Sequence, residues 1–167
     1  MKVKILITGG TIDKSYNMHN GELHFVDSHI PSMLVEGRCK VALEIDKLML
    51  KDSLDMTDSD RLQIVSSCQQ TRASRIIITH GTDTLEVTAR ALGPEISDKT
   101  VVLVGAMIPY TFGSSDGLFN LGSALAYAQT LPPGVYVAMN GRCHVWSQVR
   151  KNKQTGVFEH VSPSPST

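Results

Sequence analysis

Met1-Lys-Val-Lys-Ile-Leu-Ile-Thr-Gly-Gly-Thr-Ile12 is the stretch whose reading decides the fold. Val3 to Ile7 is a short apolar run rich in β-branched residues, the pattern of a strand buried in a parallel sheet. It runs straight into Thr8-Gly9-Gly10-Thr11. Paired glycines let the backbone turn sharply at the carboxyl end of the strand, where open α/β sheets hold their ligands. The Thr11 hydroxyl is then presented at that crevice. A second strand, Arg75 to Thr79, ends in the same chemistry, His80-Gly81-Thr82-Asp83-Thr84. Two strand ends, each with a glycine and a hydroxyl, can face one pocket.

Outward from these turns, strand and helix patterns alternate. Asp13 to Asp27 is polar and holds Tyr16, two asparagines, Gly21 and two histidines. Stretches of that length between packed elements are often lids or binding segments, and Glu22-Leu-His-Phe-Val26 also alternates as one strand of a surface hairpin does. Ser28 to Arg38 predicts a short helix with Pro31 near its first turn. Val41 to Leu50 predicts a half-buried strand. Asp58 to Thr71 predicts an amphipathic helix with Leu62, Ile64, Val65 and Cys68 on its apolar side, capped by Thr57 and Asp60. Ser53, in the turn before it, has no capping role. Thr84 to Leu92 follows the second glycine turn as a helix. Thr100 to Val104 is a strand ending in Gly105-Ala-Met-Ile-Pro109, and a loop over 110–115 precedes a helix of about Leu118 to Gln129. Pro132-Pro133-Gly134 breaks that helix before a strand at Val135 to Met139. The alternation predicts one doubly wound α/β domain over residues 1–160, with a mostly parallel sheet and helices on both faces. A Ser/Pro-rich tail at 161–167 follows.

The bulk composition narrows the partners. A length of 167 residues with 41% hydrophobic and 19% charged residues is that of a globular chain with a substantial core. Lys+Arg and Asp+Glu balance at 16 each, so no net field draws the chain to nucleic acid or an acidic membrane. The three cysteines, Cys39, Cys68 and Cys143, lack CxxC spacing, and strand residues begin directly after Met1. Both features point to a cytoplasmic protein rather than a secreted, disulfide-bonded one. No apolar stretch approaches the ~20 residues of a membrane span. His19, His24 and His29 recur every five residues, which matches neither a helix face nor a strand face and disfavours a metal site.

The glycine-threonine turns fit few chemistries. Gly9-Gly10 belongs to neither GxGxxG nor GxxxxGK[ST], so a nucleotide cofactor is not expected. A Ser/Cys–His triad is disfavoured as well, since none of the cysteines sits at a strand end and His80 is the one turn histidine. Threonine as nucleophile fits better. Its hydroxyl is nearly inert at neutral pH and needs a base together with backbone N–H groups for the oxyanion. Gly9-Gly10 and Gly81-Thr82 can offer such groups. Thr82, Asp83 and a lysine would make a hydroxyl–amine–carboxylate relay, with Lys151 as candidate because it follows the last predicted strand. Such a lysine acts as base only when deprotonated, which desolvation favours and the Asp83 charge opposes.

In these residues the chain resembles the amino-terminal domain of the bacterial-type L-asparaginases, the asparaginase/glutaminase family. The resemblance is carried by Ile7-Thr-Gly-Gly-Thr-Ile12, His80-Gly-Thr-Asp-Thr-Leu-Glu86, Gly105-Ala-Met107 with Pro109, and Asp116-Gly-Leu-Phe-Asn-Leu121, in family order. It implies that Thr11 is the nucleophile toward the side-chain amide carbon of L-asparagine, with Tyr16 as its hydroxyl partner. It implies a second triad of Thr82, Asp83 and Lys151, with Asp83 also holding the substrate α-amino group. Ser53 would hold the α-carboxylate, and Gly10 and Gly81 would line the substrate. No cofactor or metal is implied. The product would be L-aspartate and ammonia, by way of a threonine acyl-enzyme. The alternatives are a glutaminase-leaning amidohydrolase and a catalytically silent amino-acid-binding domain.

Several features depart from the family pattern. Ile108 stands where an arginine usually follows Gly-Ala-Met, Tyr16 lies closer to Thr11 than the usual loop tyrosine, and no Asp-Gly-Arg precedes Val149-Arg-Lys-Asn152. Family members usually carry a second, smaller domain after this one, so the chain reads as a short-form enzyme or an isolated domain. A homodimer or higher homo-oligomer is then expected to cover part of the site, with the 13–27 segment ordering on substrate.

Overall fold

The computed structural model describes residues 1–162; the rest of the Ser/Pro-rich tail, 163–167, lies outside the described residues. The first strand, β1 (Lys2–Gly9), sends Val3, Ile5 and Ile7 to one apolar cluster and Leu6 to another. A hairpin of β2 (Lys14–Tyr16) and β3 (Leu23–Phe25) follows, within the polar stretch, as the alternation of 22–26 predicts. Then come α1 (Ile30–Glu36), with Pro31 in its first turn, and β4 (Ala42–Lys51). The chain continues through α2 (Asp58–Gln70), β5 (Arg75–Thr79), α3 (Leu85–Leu92) and β6 (Thr100–Val104). It goes on through α4 (Gly117–Thr130), β7 (Gly134–Met139) and β8 (Arg142–Val145), and closes with β9 (Val149–Lys151) and β10 (Phe158–His160).

Six strands form the main sheet in the order β4-β1-β5-β6-β7-β8, parallel except for β8. From β1 the chain steps outward to β4, then crosses back to β5 on the other side of β1. The carboxyl ends of β1 and β5 therefore flank the topological switch point, where sheets of this kind hold ligands. Helices α2 and α3 cover one face, packing on Leu6, Ile76, Ile78, Val101 and Leu103. Helices α1 and α4 cover the other, packing on Ile5, Ile7, Ile77, Val102 and Val104. Odd and even residues of each central strand thus part to opposite faces, as a sheet buried on both sides requires. No helix among the described residues is long and apolar enough to cross a membrane.

Two local expectations need correction. Leu62 is 68% exposed, and Arg61 takes the inward place on α2. Arg61 can do so because its guanidinium donates to Met56 O at 3.0 Å and to Thr84 Oγ1 at 3.2 Å and faces the Asp58 carboxylate at 3.5 Å. These contacts give the two terminal nitrogens partners and leave Nε without one among the described residues. The Thr57–Asp60 cap forms as a reciprocal capping box. Beyond Met139 the sequence reading predicts no strand, yet β7 turns back through Asn140-Gly141 into antiparallel β8, and β9 and β10 form a separate two-stranded ladder. Lys151, expected after the last strand, ends β9.

Candidate active site

At the switch point, glycines let strand ends meet backbone to backbone. A Cβ on Gly9 would lie 2.5 Å from Lys51 N, one on Gly10 2.5 Å from Gly81 Cα, and one on Gly81 2.6 Å from Ser53 Cβ. Gly9 and Gly10 also have φ of 99° and 86°, a region closed to most side chains. The turns carrying Thr11, Ser53 and Thr82 are therefore pressed into one wall. Below them the Thr8 hydroxyl donates to Thr79 O at 2.6 Å, tying β1 to β5. The Gly10 N–H donates to Lys51 O at 2.9 Å, so Gly10 gives the crevice closeness and not a free donor.

The most defined chemistry lies at the end of β5. Lys151 Nζ donates to Thr82 Oγ1 at 2.9 Å and to Asp83 Oδ1 at 2.6 Å. The lysine side chain is 9% exposed, whereas the Asp83 carboxylate is 51% exposed and can meet an incoming group. Thr82 Oγ1 also lies 3.5 Å from Met107 Sδ. That methionine is held by Asp116, whose carboxylate accepts the N–H groups of Met107 and Ile108 at 3.0 Å each and Asn120 Nδ2 at 2.9 Å.

His80 and Ser53 support this turn from beneath. His80 is fully buried, and burial pushes its imidazole down to about 4. Its Nδ1–H donates to Gly81 O at 2.8 Å, while the Thr88 hydroxyl donates to Nε2 at 2.7 Å. The neutral ring thus pins the Gly81 carbonyl. Ser53, 1% exposed, acquires a structural role that its sequence context did not show. Its Oγ accepts the Thr84 N–H at 3.3 Å, and the Thr84 hydroxyl donates to Ser53 O at 2.8 Å.

Thr11 opens a short 3-10 turn, Thr11–Asp13, at the foot of the hairpin. Asp13 is buried, and desolvation raises its carboxyl above the ordinary range. Its Oδ1 accepts the Ser28 hydroxyl at 2.9 Å and the His29 N–H at 2.8 Å, which joins the two feet of the hairpin. Lys14 pairs with Asp52, next to Ser53, and Lys47 pairs with Asp27 at 2.8 Å. Burial opposes the charge on Asp52, but the Lys14 contact and the bond from the Leu54 N–H together outweigh it and leave that carboxyl below its usual value. Tyr16 sits on β2, 53% exposed, and among the described residues its hydroxyl has no hydrogen bond to Thr11. The fold thus brings Thr82, Asp83 and Lys151 into direct contact, packs the Thr11 and Ser53 turns against Gly81, and places Tyr16 exposed on the hairpin without a hydrogen bond to Thr11 among the described residues.

Residues 2–164 match the family model described as "Asparaginase, N-terminal". The chain belongs to the asparaginase family. Among its relatives, the probable periplasmic L-asparaginase of Haemophilus influenzae is 33% identical over 97% of this chain and 49% of that protein. The glutaminase-asparaginase of Acinetobacter glutaminasificans is 32% identical over 96% of this chain and 52% of its own length. The thermostable L-asparaginase from Thermococcus kodakarensis has a TM-score of 0.83 at 29% identity, covering 96% of this chain and 51% of that one. The chain spans about half the length of the curated relatives it matches. Within this asparaginase-family fold, the sequence reading assigned no role to Asp116, Asn120 or Glu86. The four-residue spacing of Asp116, at the N-cap of α4, and Asn120, in its first turn, was the one legible signal for their pairing.

Proposed function

We propose that the crevice hydrolyses the side-chain amide of L-asparagine to L-aspartate and ammonia through an ester on Thr11. The observation that carries this reading is the placement of Lys151 Nζ on both Thr82 Oγ1 and Asp83 Oδ1, in a turn packed against that of Thr11. A hydroxyl nucleophile needs a base and a preorganised oxyanion site, and amine, carboxylate and glycine turns supply the parts.

In the first half-reaction Thr11 Oγ bonds to the amide carbon, and the amide nitrogen leaves as ammonia with the proton that Thr11 gives up. In the second, water adds to the ester and the Thr11 oxygen departs, regaining a proton. We assign Thr82, with the amine of Lys151, to activating that water, and backbone N–H groups of the Gly81–Thr82 turn to the oxyanion. Asp83, open to solvent on one side, takes the substrate α-ammonium, and Ser53 takes the α-carboxylate. Gly10 and Gly81 line the substrate by close backbone approach. Tyr16 serves as hydroxyl partner of Thr11 when substrate is bound. A second copy of the chain covers the open side at Asp83, and a cytoplasmic setting is consistent with the free state of Cys39, Cys68 and Cys143.

Glutamine is the second substrate to consider, because the similarity to the glutaminase-asparaginase is of the same order as that to the L-asparaginase. An apolar pocket distinguishes one methylene by only about 10–200-fold. Acid-quenching the protein with asparagine and mapping its peptides by mass tests the mechanism. An aspartyl adduct on the Thr11 peptide, absent in Thr11→Ala, is expected; an adduct on another residue would overturn the assignment.

A further inference from the structure

We infer that Glu86, together with Arg90 one turn further along α3, is a positioning residue for Lys151 and sets where its amine stands against Thr82 and Asp83. The inference rests on the roles given to those three residues above.

Lys151 does not belong to the six-stranded sheet. It ends β9, three residues long, whose ladder is with β10, so the main sheet does not fix its height beside Thr82. Val149 and Phe158, each 1% exposed, anchor this hairpin in the apolar cluster under α3. Apolar burial is non-directional and leaves a short strand free to slide. Direction comes from α3. The Lys151 N–H donates to Glu86 Oε2 at 2.6 Å, and Arg90 Nη2 donates to Val149 O at 3.0 Å. Arg90 Nη1 lies 3.5 Å from Glu86 Oε1, an i,i+4 pair with the acid on the amino-terminal side, the favourable order.

One ion pair therefore grips a donor and an acceptor two residues apart on β9. Thr82 and Asp83 lie in the turn leading into the same helix, so α3 carries both sides of the Lys151 contact. A lysine stem is flexible, and the position of its backbone decides which oxygens the amine can reach. Glu86 is 19% exposed, and its bond to the Lys151 N–H is charge-assisted, which makes it a firm stop for register.

The test compares Glu86→Ala, Glu86→Gln and the parent chain. Glu86→Ala should lower kcat for asparagine about a hundredfold, the usual cost of a small misplacement at a reacting centre, with KM little changed. Glu86→Gln keeps an oxygen for the Lys151 N–H and should recover most of that loss. A readout independent of turnover is the acylation rate of Lys151 by an amine-reactive ester, followed by peptide mass; it should rise in Glu86→Ala as the amine leaves its partners, and less in Glu86→Gln. Arg90→Ala, which keeps the Glu86 acceptor, should show smaller changes in the same directions and serves if Glu86→Ala does not fold. Unchanged Lys151 acylation in these variants, or a glutamine variant as impaired as the alanine one, would overturn the inference. If the parent chain releases no ammonia from either amide, the proposed function fails, while the acylation comparison still decides what Glu86 does.

Discussion

The backbone of Gly10 rests on the backbone of Gly81: a Cβ on Gly10 would stand 2.5 Å from Gly81 Cα. This contact, made between β1 and β5 at the switch point, lets the two threonine turns share one crevice. Gly10→Ala meets both the contact and a φ of 86°, so it should cost at least about 2 kcal/mol and abolish turnover. Gly122→Ala is the control: nothing lies within 4 Å of its Cβ on helix α4, and it should stabilise by about 0.5–1 kcal/mol. Thermal melts of the two variants check this. A Gly10→Ala protein with the parental Tm and turnover would contradict it.

Stability should fall with acid through a window set by His80. The folded chain holds this imidazole down to about 4 against an ordinary 6.5, because burial disfavours its charge. Between those values the unfolded chain binds a proton that the folded chain refuses. The contribution is therefore complete above about 6.5 and is lost as pH falls toward about 4, for a total of about 3 kcal/mol. Asp60, held down to about 2 first by its bond to Lys51, titrates below this window. Urea melts from pH 7 to 4 should show a shallower slope in His80→Gln than in the parent. Equal slopes would mean that His80 is not the group responsible.

Lys151→Met and Thr82→Ala should each lower kcat at least about a hundredfold, the lower end of what a positioned acid or base contributes. Thr82 stands in a turn set by glycines and by His80, and the Lys151 backbone at the end of β9 is held by Glu86, so circular dichroism and Tm should change little. Wild-type turnover in either folded variant would remove it from the mechanism.

Thr57→Ala separates stability from function. It breaks the capping box of α2 away from the reacting groups and should cost about 1 kcal/mol with turnover unchanged. Chemical denaturation and an activity assay on one preparation check both halves.

Much of the fold could be read from alternation along single strands. Val3, Ile5 and Ile7 against Leu6, and Ile76 and Ile78 against Ile77, separate onto the two faces as the parallel-sheet reading requires. Legibility failed where long-range partners decide. Arg61 takes the inward place in preference to Leu62 because Thr84 Oγ1, distant in sequence, and Met56 O, in the loop before α2, receive its guanidinium. β9 is too short to show a period, so the seat of Lys151 depends on Glu86 and Arg90, which no spacing rule connects to it. β8 did have a signal: Asn140-Gly141, with φ of 54° and 77°, is the two-residue turn that a tight hairpin favours. The meeting of the two glycine turns, and of Thr82 and Asp83 with Lys151, was legible in the residue types, whereas the supports under them, His80 on Gly81 O and Ser53 on Thr84, were not.

Ammonia release from L-asparagine and L-glutamine, measured on the purified chain beside Thr11→Ala, tests the central claim most directly. The account predicts release from asparagine that exceeds release from glutamine and all but disappears in Thr11→Ala at unchanged Tm. No ammonia from either amide, with asparagine still binding in calorimetry, would contradict it and leave an amino-acid-binding domain in place of an enzyme.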